Sequence, residues 1–173
     1  MDFLKNLESK HITKGTILLS PGQVCNAGFR VKKGCLKSYV IDNAGKEHIL
    51  QFAPEEWLIS DLESFTNRTP CRIFIDAVED SEVYVINREN LTGPESASNE
   101  ALFEMNNKYR NNLIATHNRL ISLLSGTAEE RYLEFTETYP ALIQRLPLKL
   151  IASYLGMTAE HLSYTRGKLA RKR

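Results

Sequence analysis

Two patterns of apolar residues divide the chain. Between residues 16 and 91 they come in short runs broken by turn residues. From Asn99 onward they recur every three or four positions. The first pattern predicts strands and the second helices. "TILLS" is followed by Pro21-Gly22, and "GFRVKKGCLKSYVID" alternates at Phe29 and Val31, then at Leu36 and Tyr39-Val40-Ile41. "DNAGK", residues 42–46, has hairpin chemistry, with Gly45 free to take positive φ. "EHILQFA" resumes the strand, and "CRIFIDAVEDSEVYVI" adds two β-branched runs around Glu79-Asp80. Short strands at even spacing argue for an antiparallel barrel or jelly roll. Residues 1–10 read as a short amphipathic helix with Phe3, Leu4 and Leu7 on one side.

In the second half Leu102, Met105, Tyr109, Leu113, Thr116, Leu120 and Leu123 fall on one helical stripe, which Gly126 ends. The stripe is narrow and partly polar at Tyr109, Asn112 and Thr116. Such a seam suits a two-chain coiled coil or packing on the chain's own body, and its length favours dimerisation. Thr127 then caps a helix with Glu129-Glu130 in its positive first turn, and Pro140 stops it. The expected class is α+β, in three parts: a β-roll over 1–97, a long dimerisation helix over 98–126 and a helical C-terminal domain over 127–173.

Near the end, "IASYLGMTAEHLSYTR" reads as two helices meeting at a tight turn. Leu148, Ile151, Ala152 and Leu155 make one apolar face, and Ala152 is small where a second helix crosses. Gly156 supplies a left-handed backbone, Met157 fills the corner and Thr158 caps the next helix. Leu162 and Leu169 bury that helix, with Thr165 standing where Ile or Val is usual. This predicts a helix-turn-helix. An ordinary helical hairpin is the competing reading.

Charge favours the first. Net charge is only +1, yet residues 148–173 hold six basic residues against Glu160 alone, a surplus of five that leaves the rest at −4. A basic end on an acidic body suggests a polyanion partner. In a major groove Ala159, Glu160, Ser163, Tyr164 and Gly167 face the bases. Glu160 is placed for a cytosine amino group, and Ala159 and Tyr164 for a thymine methyl or the sugar-phosphate edge. Thr158, Arg166, Lys168 and Arg171 are placed for phosphates.

Other chemistry is thin. No apolar run is long enough to cross a bilayer, and "MDFLKNLESK" lacks a signal-peptide core, which places the chain in the cytoplasm. Cys25, Cys35 and Cys71 lie far apart, as expected of free thiols rather than a disulfide framework or metal site. His11, His48, His117 and His161 show no ligand-pair spacing, which leaves a haem role without support. A cupin-like enzyme needs clustered His and Glu, and the roll offers His48 alone. No nucleophile triad or Gly-rich phosphate loop appears, and no enzyme is expected.

A β-roll, a long helix and a C-terminal helix-turn-helix, in that order, resemble the Crp/Fnr superfamily of bacterial transcription regulators. "RYLEFTETYPALIQRLPLKLIASYLGMTAEHLS" looks like its DNA-binding domain. "GTILLSPGQ", "VKKGCLKSYVIDNAGKEHILQF" and "EVYVINRENL" look like its cyclic-nucleotide-binding-type roll. The resemblance implies double-stranded DNA, a second copy of the chain and RNA polymerase as partners, an effector bound in the roll and no membrane. It places the effector pocket at Ser60, Asp61, Leu62, Arg72 and Thr116. Nucleotide-binding members carry Gly-Glu-Leu there, followed by an Arg-Ser pair. Here Ser60-Asp61-Leu62 stands in the first place, and Cys71-Arg72 puts the arginine one residue out of register, onto the other face of a strand. An anionic ligand then loses its charged partner, which disfavours cyclic AMP. The sulfur ligands of an Fnr-type iron–sulfur cluster are missing. The wing that often follows the second helix is also expected to be missing. The alternative is a sensor that kept this fold without binding DNA.

Overall fold

Alternation along the short strands sends every second side chain inward, and two antiparallel sheets close over those residues. The computed structural model describes residue 7, residues 9–88 and residues 99–171. Its strands are β1 (Ser9–Ile12), β2 (Ile17–Leu19), β3 (Ala27–Lys33), β4 (Leu36–Ile41), β5 (Glu47–Ala53), β6 (Leu58–Ile59), β7 (Phe74–Ala77) and β8 (Ser81–Asn87). One sheet has the order β1-β8-β3-β6 and the other β2-β7-β4-β5. Val31 pairs with Val83 in the first, and Leu36 with Ala77 and Ser38 with Ile75 in the second. Val31, Val83, Leu36 and Ile75 are sealed from solvent in one cluster with Ile12, Leu19 and Ile59.

The long alternating run over residues 28–42 is not one strand. Gly34, at φ 94°, breaks it and carries the chain from the first sheet to the second. A Cβ there would lie 2.4 Å from Ser81 Oγ and 2.7 Å from the Asp80 carbonyl, so the turn needs glycine for both conformation and space. The predicted hairpin turn is present: Asp42 Oδ1 accepts from the backbone N–H of Ala44 and of Lys46, and Gly45 takes φ 78°.

The expected helix over residues 1–10 is corrected in part. Ser9 and Lys10 belong to β1, paired with Tyr84 and Val83 of β8, whose open edge takes them as a strand. Residues 1–6 and 8, with Phe3 and Leu4, lie outside the described residues.

Five helices follow among the described residues: α1 (Leu62–Asn67), α2 (Asn99–Ser125), α3 (Ala128–Thr138), α4 (Leu148–Tyr154) and α5 (Ala159–Arg171). Thr127 caps α3 in a full capping box, its hydroxyl accepting from Glu130 N–H while Glu130 accepts from Thr127 N–H at 2.7 Å. These bonds hold the Glu130 carboxyl below its usual range. Tyr139 ends α3 just before Pro140. The chain divides into two compact units, Met1–Val40 with Gln51–Leu113, and Ile41–Leu50 with Ile114–Arg173. The second unit has its own core, where the rings of Phe135, Tyr139 and Tyr154 meet pairwise at 5.3–5.7 Å and Leu142, Ile151 and Leu162 are also buried. No helix among the described residues is long and apolar enough to cross a membrane.

Gly34 and Gly45 separate conformation from space. Both have positive φ, but nothing lies within 4 Å of a Cβ at Gly45. Gly45→Ala should cost about 1 kcal/mol in urea unfolding, the strain of positive φ alone. Gly34→Ala should cost roughly 3 kcal/mol or more, because the clash adds to it.

Candidate functional site

Helix α4 ends in a turn that the residues before it dictate. Leu155 is its C-cap, Gly156 takes φ 65°, and Met157 N–H reaches back to the Ala152 carbonyl at 3.0 Å. Such a backbone stops one helix and redirects the chain within three residues. Thr158 opens α5, its hydroxyl accepting from His161 N–H at 3.2 Å. Glu160 lies in the first turn, and its own backbone N–H and the Thr158 hydroxyl hold its carboxyl below the usual range.

The inner face of α5 is Leu162 and Thr165, both buried, with Leu169 half-buried. Thr165, where an aliphatic residue was expected, satisfies its hydroxyl on the His161 carbonyl one turn back at 2.9 Å. Its methyl can then lie in the core with Leu162. The outer face carries Glu160, Ser163, Tyr164, Arg166, Gly167, Lys168 and Arg171, all exposed, while Ala159 is half-buried. The predicted interface residues therefore share one helix and mostly one open face. Lys168 differs from the others, because its ammonium is paired with Glu129 of α3, which raises its pKa.

Around α2 the side chains divide by direction. Tyr109 turns inward, packed on Leu58 and Ile86, and Leu123 lies 3.1 Å from where a Gly156 Cβ would be. Leu113 and Leu120 are exposed, together with Phe103, Ile114, Ile121 and Leu124, the last at 79%. The side chains of Leu102 and Met105 are outside the described residues. At about 100° per residue the exposed apolar set gathers on one side of the helix. The opposite side is polar and was not singled out from the sequence. Lys108 donates to the Glu56 carbonyl, Asn112 to the Leu58 carbonyl at 2.7 Å, and Arg119 to those of Ile49, Leu50 and Tyr154. Their spacing of four and seven, with long donors at each place, is the signal that could have found them.

The predicted effector residues meet at the β6–α1 junction only in part. Ser60, Asp61 and Leu62 are consecutive there. Asp61 caps α1, its carboxylate accepting from Ser64 N–H at 3.0 Å. Tyr109 bonds the Ser60 side chain, and burial raises the tyrosine pKa. Leu62 is exposed. Arg72 is 85% exposed and reaches Glu63 at 3.5 Å, so its guanidinium is engaged on the surface. Thr116 is exposed on α2. Cys25 and Cys71 are buried: burial pushes both thiols up, the Asp61 charge adds to it at Cys71, and the Asp61 backbone opposes it at Cys25. The Cys25 thiol donates to the Ala27 carbonyl and the Cys71 thiol to that of Ser20. All three cysteines are free, and no metal-binding cluster of three side chains forms among the described residues.

Residues 9–93 match the family model of the cyclic nucleotide-binding domain. No curated protein sequence matches the chain. Among solved structures it is similar to FixK2 of Bradyrhizobium japonicum, at 18% identity and a TM-score of 0.78, over 96% of this chain and 85% of that one. It is similar to CLP of Xanthomonas campestris, a c-di-GMP-responsive global regulator, at 13% identity and 0.75, over 98% and 89%. It is also similar to a CRP/FNR-family transcriptional regulator of Thermus thermophilus, at 19% identity and 0.69, over 95% and 87%. The N-terminal part is thus similar to a cyclic nucleotide-binding domain. The chain as a whole has the Crp/Fnr fold.

Thr165→Val tests the account of the inner face. The His161 carbonyl keeps its place in the helix ladder, and an isosteric methyl replaces a buried hydroxyl. Denaturation should show stability unchanged or raised by up to about 1 kcal/mol, where an exposed or bridging hydroxyl would give a loss.

Proposed function

We propose that the protein is a dimeric, sequence-specific DNA-binding transcription regulator of the Crp/Fnr type, with no effector assigned and cyclic AMP disfavoured. One observation carries the reading: α4, the Gly156 turn and α5 leave Glu160, Ser163, Tyr164 and Arg166 on one open helix face beside basic residues. A helix so placed enters the major groove by its N-terminal end. The similar solved structures include transcription regulators, which supports the assignment.

Within that reading Arg166 and Arg171 hold phosphates and set register. Tyr164 and Ser163 face base edges. Glu160 contributes an acceptor whose orientation the Thr158 cap already fixes. The exposed apolar side of α2 takes the same side of a second copy, which brings two α5 helices to two half-sites. At the β6–α1 junction cyclic AMP is disfavoured by the arginine alone: Arg72 is engaged with Glu63 on the surface, which leaves an anionic ligand without its charged partner.

Titrating random and selected duplexes against salt tests the DNA reading. Binding should weaken steeply, with each phosphate contact adding about −0.9 to the slope of log affinity on log salt. Arg166→Ala should flatten the slope by about one per subunit. Glu129→Gln should steepen it by about one per subunit, because Lys168 is released to the backbone. A protein with no DNA role, the sensor reading, shows no such dependence.

The dimer has a separate test. Leu120→Glu with Leu124→Glu places charge on the apolar side of α2 and nowhere in the core. Light scattering should report a dimer for the unmodified chain and a monomer for the variant, with thermal unfolding of the monomer retained.

A further inference from the structure

The C-terminal end of α4 is unusual in what neutralises it. The last turn of a helix leaves carbonyls without partners and carries negative partial charge. Helix α4 has no basic residue of its own in that turn. Two guanidiniums arrive from other helices. Arg119 of α2 donates to the Tyr154 carbonyl through Nε at 3.2 Å and Nη2 at 2.7 Å. Arg131 of α3 donates to the Leu155 carbonyl through Nη1 at 2.8 Å.

Arg119 does more than cap. Its Nη1 also donates to the Leu50 carbonyl at 2.8 Å and its Nη2 to that of Ile49 at 2.7 Å. Its plane stacks on the Tyr154 ring at 4.0 Å. All its hydrogen bonds go to backbone carbonyls, and no carboxylate faces it among the described residues. The neighbouring residue of α4 makes a second tie. Ser153 Oγ accepts from Ile49 N–H at 3.1 Å and donates to the Glu47 carbonyl at 2.8 Å. β5 is an edge strand of its sheet.

A half-buried charge without a counter-charge still loses part of its hydration, and a neutral side chain would fill the space with a smaller penalty. What only a planar fork supplies is fixed geometry toward several carbonyls at once. We propose that Arg119 is a positioning residue for the DNA-binding helix. It holds the end of α4, and with it the Gly156 turn from which α5 departs, in one place against the 41–50 hairpin tip, and Ser153 seconds it. This rests on the DNA-binding reading above. Arg119 acts through α4 rather than on DNA, because four of its five N–H groups are bonded to carbonyls inside the protein.

The experiment compares the full chain with Arg119→Gln, Arg119→Lys and Ser153→Ala. Each is measured for duplex binding across a salt series, and for backbone hydrogen exchange without DNA. Arg119→Gln should weaken binding about tenfold or more, as expected for lost charge-assisted bonds. Its salt slope should stay that of the unmodified protein, because no phosphate contact is removed. Exchange should quicken together at residues 41–50 and 148–157 and stay unchanged in β3 and β8. Arg119→Lys should recover only part, since an ammonium cannot serve three carbonyls in a plane. Ser153→Ala should move both readouts the same way by less, and it carries the test if Arg119→Gln does not fold. Unchanged affinity in Arg119→Gln and Ser153→Ala overturns the proposal, as does a flatter slope, which would put Arg119 on a phosphate. Exchange that quickens everywhere also overturns it, as a sign of general destabilisation. Failure of the unmodified chain to bind any duplex overturns the regulator reading instead, and that is seen before any variant is made.

Discussion

A sheet edge must give its carbonyls something to bond. Both sheets here end on an edge strand, β6 in one and β5 in the other, and both are met by side chains rather than by another strand. Lys108 and Asn112 serve Glu56 and Leu58 in the first unit, and Arg119 serves Ile49 and Leu50 in the second. An unpaired buried carbonyl costs about as much as a hydrogen bond is worth. The helix that supplies these donors is therefore held with its polar side inward. Its apolar side is left outward as a consequence. The usual amphipathic logic of a surface helix is reversed, and a reversed helix needs a partner for its apolar side. The dimer reading follows from the edge requirement rather than from the stripe alone.

A similar division of labour governs the C-terminal helices. Leu162 and Thr165 keep α5 against its neighbours, and the threonine manages this because the hydroxyl is satisfied within its own helix. The opposite face is then free of structural duty except at Lys168, which Glu129 holds back. An exposed ion pair of this kind contributes little to stability. Its effect is on which charges α5 offers outward.

Much of this was legible in the residues. Hydrophobic alternation and turn chemistry marked β3, β4, β5, β7 and β8, and Thr127, Pro140, Gly156 and Thr158 marked the helix ends. These signals are local, written in the few residues that make each turn. The break at Gly34 was hidden because alternation continues on both sides of it, although the two strands lie in different sheets. β6 is two residues long and α1 six, too short for any period to show. The polar stripe of α2 was missed for a different reason. Asn112 reads as an interruption of an apolar seam until the carbonyl it serves, 54 positions earlier, is seen. Long-range hydrogen bonds leave no periodic trace in a sequence, so the outward face of α2 was also placed too close to Tyr109 and Leu123, which pack inside.

The β6–α1 junction supplies its own helix cap. An N-terminal helix turn needs an acceptor for its first N–H groups. In a site for a cyclic phosphate the ligand can be that acceptor. Here Asp61 supplies it from within, bonded to Ser64 N–H, and Ser64 in turn donates its hydroxyl to the Thr69 carbonyl and accepts from Cys25 N–H. The first turn of α1 is thus capped from within the chain, and Arg72 is bonded to Glu63 on the surface.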